Sequence, residues 1–152
     1  MSGGWRLLHF LAFVAWIGGG LGVMIAGVVM ARLDRSLWGG VADVQAALYR
    51  VLVGPGSILA VASGVVLTLR MYGALSGDSH PWLGMMQGMG LLGALVTLLG
   101  AMPAAARLGR LEPLGETAAA FDAARTRLRI TGMIGSICAL LALVAGALYR
   151  TG

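Results

Sequence analysis

The chain contains no lysine, a single cysteine and only six acidic residues in 152, and just 11% of it is charged. An ordinary soluble domain carries about twice that charge, so such a domain is excluded. With Cys138 alone, a disulfide within the chain is impossible, and its place inside an apolar run reads as a small buried hydrophobe. No Asp, Glu, Lys or Arg falls in the middle of an apolar run, which argues against an ion-coupled transporter, a proton relay or a voltage sensor. Phosphate-binding glycine loops, nucleophile elbows and zinc-protease motifs are also lacking, and Asp34, Asp43, Asp78, Glu112, Glu116 and Asp122 read as solvated loop acids.

What is present is apolar: 59% of the residues are hydrophobic, 25 are glycine, and the mean hydropathy is +0.88. Glycine shows no three-residue period, so collagen is excluded, and the solvent implied is a lipid bilayer. Four runs are long enough to cross it as helices, about 7–31, 51–69, 82–106 and 130–149. The fold expected is therefore all-α, an up-down bundle of four transmembrane helices in a single domain, 1–152. The first run exceeds the apolar core of a cleavable signal and is expected to remain as a span.

All eleven basic residues are Arg, and eight lie in the linkers 32–50 and 107–129. Placed at the ends of apolar runs, they read as topology markers and not as a nucleic-acid face. The positive-inside rule puts those linkers in the cytoplasm, with N-terminus, C-terminus and the loop 72–81 outside. Both histidines, His9 and His80, then lie near the same outer surface. Apolar residues at helical spacing inside the linkers, Val41, Val44, Leu48 and Val51, then Leu114, Ala118, Phe121 and Ala124, suggest helical extensions or interfacial helices. Pro55 is expected to kink or break the second helix unless a neighbour supplies the lost bond, and Pro103 to act similarly on the third.

Laid over each other at an offset of 79, the second and fourth runs bring Arg50 onto Arg129 and Gly56-Ser57-Ile58 onto Gly135-Ser136-Ile137. At 77, Trp5 falls on Trp82 and His9 on Met86. If duplication produced this, two helical hairpins should be related by an axis along the membrane normal. Small residues four apart, Gly18/Gly22/Ala26, Gly56/Ala60/Gly64, Gly84/Gly88 and Gly132/Ser136, suggest close helix packing. Gly18, Gly19 and Gly20 could alternatively clear room for a flat cofactor.

His9 and Trp16 are seven residues apart and return to one helix face, with Ala12 and Phe13 between them. A histidine within a membrane helix is a functional candidate, and neutral imidazole binds haem iron and many metals. The alternative is a ring reaching interfacial water or a neighbouring carbonyl. His80, just before Pro81 and Trp82, is either an interfacial loop residue or a second imidazole, and two imidazoles from different helices would suit a b-type haem. Met71, Met85, Met86 and Met89 gather on the same side, so His9, His80 and Met86 also form a candidate copper set, against the alternative of packing methionines. Gln87 reads as an interhelical hydrogen-bond partner.

The string Leu8-His9, six residues, Trp16, one residue, Gly18-Gly19 resembles the first helix of a group of small bacterial inner-membrane proteins. That group includes the copper-resistance CopD-like domains, the HemJ-type protoporphyrinogen oxidases and related four-helix families. Gly54-Pro55-Gly56 and Ser63-Gly64 are similar to the pattern that follows there. The resemblance implies a haem or metal ligand at His9, with Trp16 supporting it. The Leu, Pro, Arg and Tyr run of HemJ-type proteins is missing, so protoporphyrinogen oxidation is not expected.

The function expected is that of a bacterial inner-membrane protein holding haem b, or copper as the alternative, for electron transfer or metal handling. The competing expectation is an accessory subunit without chemistry of its own, packed on a larger respiratory or photosynthetic complex or on further copies of itself. Its expected surroundings are the lipid bilayer, with no nucleic acid.

Overall fold

A computed structural model describes residues 2–72 and 81–151, and these are helical throughout except for two short linkers. The first span is α1 (Ser2–Met30). The second joins α2 (Trp38–Leu48) to α3 (Gly54–Tyr72) through one π-helical turn, Tyr49–Val53. The third joins α4 (Pro81–Val96) to α5 (Met102–Leu108) through another, Thr97–Ala101, and the fourth is α6 (Ala118–Thr151). Four stretches, Gly3–Met30, Arg35–Met71, Pro81–Leu108 and Gly115–Tyr149, are long and apolar enough to cross a membrane. The second and fourth begin well before the apolar runs do, because the linker segments are helical extensions of the spans.

Neither proline breaks its helix. Pro55 and Pro103 each follow a π turn by two residues, and a wider turn relieves the clash of a proline ring with the carbonyl four residues back. In each, the amide after the turn donates five residues back, from Gly54 to Tyr49 and from Met102 to Thr97.

Packing depends on a few glycines. A Cβ on Gly56 of α3 would lie 2.8 Å from the Trp16 backbone nitrogen and 3.0 Å from the Ala12 carbonyl, so α1 and α3 touch backbone to backbone. Between α4 and α6, a Cβ on Gly93 would lie 2.9 Å from Cys138 Cβ, and one on Gly135 would lie 2.6 Å from Thr97 Oγ1. Along the first pair, Gly64 meets His9, Gly19 meets Val53, Gly22 meets Leu48 and Gly27 meets Gln45. Gly18, Gly84 and Gly88 would meet nothing, so the ladders expected through them do not form.

The core is rich in small side chains, with Ala42, Ala60, Ala101, Ala105, Ala139, Ala142 and Ala145 all buried, while most Leu, Ile and Val face outward. Such an arrangement suits a bilayer, where lipid tails are as apolar as leucine and helices gain by approaching closely. The first linker is the helical extension its spacing suggested; in it Val44 and Val51 are exposed, and Ala42, Gln45 and Tyr49 form the buried stripe.

The linkers dock on each other. Arg35 Nε donates to the Pro113 carbonyl at 2.6 Å and Nη2 to Asp122 at 2.7 Å, while Arg35 and Arg125 both sit over the Trp38 ring. Trp38 in turn packs on the fully buried Phe121.

Candidate ligand cavity

Positions 9, 13 and 16 share one face of α1, and their side chains form a continuous ladder. His9 meets Phe13 edge-on with centroids 5.1 Å apart, and Phe13 stacks on Trp16 at 5.9 Å. Phe13 and Trp16 are buried, Trp16 to 2% exposure, whereas His9 is half-buried. Across from them α3 presents Ser63 and Gly64. Any Cβ on Gly64 would come within 3.2 Å of His9 Cε1, so the imidazole lies in a recess that only glycine leaves open.

The hydrogen bonds of Ser63 decide the state of that imidazole. Its hydroxyl donates to the carbonyl of Leu59, with that of Ala60 also in reach, as serines inside helices commonly do. While that proton is directed at a backbone carbonyl, Ser63 Oγ accepts from His9 Nδ1, 2.9 Å away, and Nε2 keeps its lone pair; a hydroxyl turned towards the ring would give the other tautomer. This is the arrangement by which a bond at one ring nitrogen prepares the other as a ligand or hydrogen-bond acceptor.

A second polar relay lies on the opposite wall. Thr68 Oγ1 donates to the Gly64 carbonyl at 3.0 Å and so accepts from Gln87 Nε2 of α4 at 3.2 Å. With Thr68 donating to its own helix, the Gln87 nitrogen faces Thr68, and its oxygen has no hydrogen-bond partner among the described residues.

Between α1, α3 and α4 these groups border a half-open cavity of about 220 Å³. His9, Trp16, Met86 and Gln87 line it, no charged side chain among the described residues does, and apart from Thr68 the remaining wall is apolar. Three expected site residues, His9, Trp16 and Met86, thus come together. His80 lies outside the described residues. Met86 directs its sulfur at α6, where a Cβ on Gly146 would lie 3.0 Å from it. Gly18, Gly19 and Gly20 do not line the cavity; the glycines beside it are Gly64 and Gly90. Thr68 was not anticipated. Its signal is faint, a polar residue near the end of the second run, five positions beyond Ser63.

Among the described residues, no three of His, Cys, Asp and Glu gather as a metal site would require. Comparison of the chain with protein-family models, curated proteins and solved structures gave no match.

Proposed function

We propose that the chain is a multi-pass protein of the bacterial inner membrane that serves electron transfer by holding a small redox-active group against His9 in the outer half of the bilayer. The observation that carries this reading is the contact of His9 Nδ1 with Ser63 Oγ at the wall of a largely apolar cavity within a candidate span, which with Nδ1 as donor leaves Nε2 its lone pair. An imidazole at that depth is costly and needs a function or a partner to account for it. The order of contacts along α1 and the second span, His9 with Gly64, Trp16 with Gly56 and Gly22 with Leu48, supports the up-down arrangement. Arginines concentrated in the two docked linkers support cytoplasmic linkers and outer termini.

Of the expected cofactors, haem b would find an imidazole here, but most of it would have to extend through the open side of the cavity: about 150 Å³ takes one benzene, and the 220 Å³ here takes one substituted ring inside the walls. Copper has two donors of suitable softness in His9 and Met86, but the Met86 sulfur is turned against Gly146. The fit is best for a single-ring group.

The test is to purify the protein in mild detergent and measure its reduced-minus-oxidised absorption, its metal content and its organic extract. A redox-active species is expected at stoichiometric yield and should be lost in His9→Ala. If all three measurements are blank and a larger partner copurifies stoichiometrically, the accessory-subunit reading replaces this one.

A further inference from the structure

We infer that the cavity is a binding site for the ring of a membrane-soluble hydroquinone, and that it selects the reduced form over the quinone. The inference rests on the reading of His9 as a ligand-binding group and names the class of ligand.

Size and polarity narrow the choice first. About 220 Å³ admits one ring with small substituents, flanked by Phe13 and Trp16, and the absence of lining charge among the described residues disfavours both anions and cations. The two polar groups narrow it further. His9 Nε2 on α1 and the Gln87 side-chain oxygen on α4 are both hydrogen-bond acceptors, each held by a hydroxyl of α3, Ser63 for the first and Thr68 for the second. A hydroquinone carries a hydroxyl donor at each end of its ring, matching one acceptor on each wall. Its quinone carries acceptors alone.

The discrimination resides at His9. Gln87 has a second N–H and can turn to donate to a carbonyl, but Nε2 in this tautomer meets a carbonyl oxygen lone pair to lone pair. The tail has an exit, because Val65 of α3 and Leu91 of α4 line the cavity and are 39% and 51% exposed on the lipid-facing side of the bundle. A prenyl chain can therefore lie in the seam while the ring is inside.

The experiment uses the full chain in detergent, titrated anaerobically with duroquinol and separately with duroquinone, which have the ring without a tail. Binding is followed by calorimetry and by Trp16 fluorescence, with Trp16→Phe as the optical control. Duroquinol should bind saturably, duroquinone about tenfold more weakly or worse, and His9→Ala should weaken duroquinol by about tenfold or more. Ser63→Ala releases the tautomer, so it should still bind duroquinol while the preference between the two forms narrows. Gly64→Val should block both; if that variant does not fold, His9→Ala and Ser63→Ala decide the matter.

Equal affinity for the two forms, or binding indifferent to His9, overturns the proposal. If a His9-dependent haem or copper signal is found and duroquinol does not bind, the hydroquinone fails while the redox reading stands. If neither binds, both fall.

Discussion

The α1/α3 pair and the α4/α6 pair are built to one plan, and the first departs from it at a few polar positions. Gly56 makes the close backbone approach in one pair and Gly135, 79 positions later, makes it in the other. Their partners, Trp16 and Gly93, are 77 apart. These are the offsets at which the sequence overlays on itself. Buried positions agree as well, with Ala42, Tyr49, Ala60 and Ser63 answering to Phe121, Leu128, Ala139 and Ala142. Where the first pair has His9, Ser63 and Gln45, the second has Met86, Ala142 and Ala124. Burying polar groups in lipid carries a cost unless they are bonded. The second pair shows that the scaffold does without them, so the polar set in the first is an addition that stability does not explain.

The comparison is broken most severely at the crossing points. Gly56→Leu and Gly135→Leu each drive a side chain into a facing backbone or a buried side chain, and each should cost about 3 kcal/mol or more, since small-to-large changes of even one or two methylenes already cost about 1–3. Gly18→Leu and Gly88→Leu, whose side chains would enter open space, should stay within about 0.5 kcal/mol of the parent. Thermal unfolding in detergent, followed by circular dichroism, measures all four. A large loss at only one crossing glycine would show that the two pairs are not equivalent.

Legibility in the sequence followed the same division between scaffold and departure. The four spans could be read because only a bilayer accounts for runs of that length, but their limits at the linkers could not, since α2 and the first turns of α6 carry enough polar residues to look like linkers. The inward face of the first linker was not legible, because large apolar residues mark a core in water, whereas here Ala42, Gln45 and Tyr49 are the buried ones. His9, Trp16 and Met86 were legible, the histidine as the only ionisable group in its span and the others by helical spacing or softness. Ser63 was visible only as part of a resemblance, and Thr68 not at all, since a hydroxyl that satisfies its own helix leaves no pattern. Pro55 was expected to kink or break its helix unless a neighbour supplied the lost bond, because sequence does not reveal that a π turn two residues earlier absorbs the strain.

Converting the first pair into the second sharpens the comparison at the next level. Ser63→Ala alone removes the acceptor of a part-buried Nδ1–H and should cost about 1 kcal/mol. The double change His9→Met with Ser63→Ala, which copies Met86 and Ala142, removes both partners and should restore stability to about the parent value, because replacing both ends of a buried hydrogen bond by apolar groups is close to neutral. Ligand binding should be absent in the double variant. A double variant less stable than Ser63→Ala would mean that the histidine is structural.

A smaller effect of opposite sign is expected at Gln45. Its nitrogen donates to the Val23 carbonyl at 3.0 Å, but its oxygen is buried without a partner among the described residues, whereas the second pair has alanine there. Gln45→Leu removes the unsatisfied oxygen and gives up one bond, so stability should be unchanged or rise by up to about 1 kcal/mol. A loss of more than that would indicate that the oxygen is hydrogen-bonded to buried water.

The smallest effect should come at the junction where the two pairs meet. Arg35 joins them through Asp122 and the Pro113 carbonyl, but the ion pair is largely open to solvent, with side chains 36% and 48% exposed. Exposed pairs contribute about 0.2–1 kcal/mol and are screened by salt, so Arg35→Gln should lower stability by no more than about 1 kcal/mol. The difference between parent and variant should shrink further as salt is raised. The Trp38 ring remains covered by Arg125, which limits the loss of packing. If the variant instead loosens the assembly, exposing Trp38 to aqueous quenchers or making the two pairs unfold in separate steps, then the linker clasp, and not the shared core of small residues, holds one pair against the other.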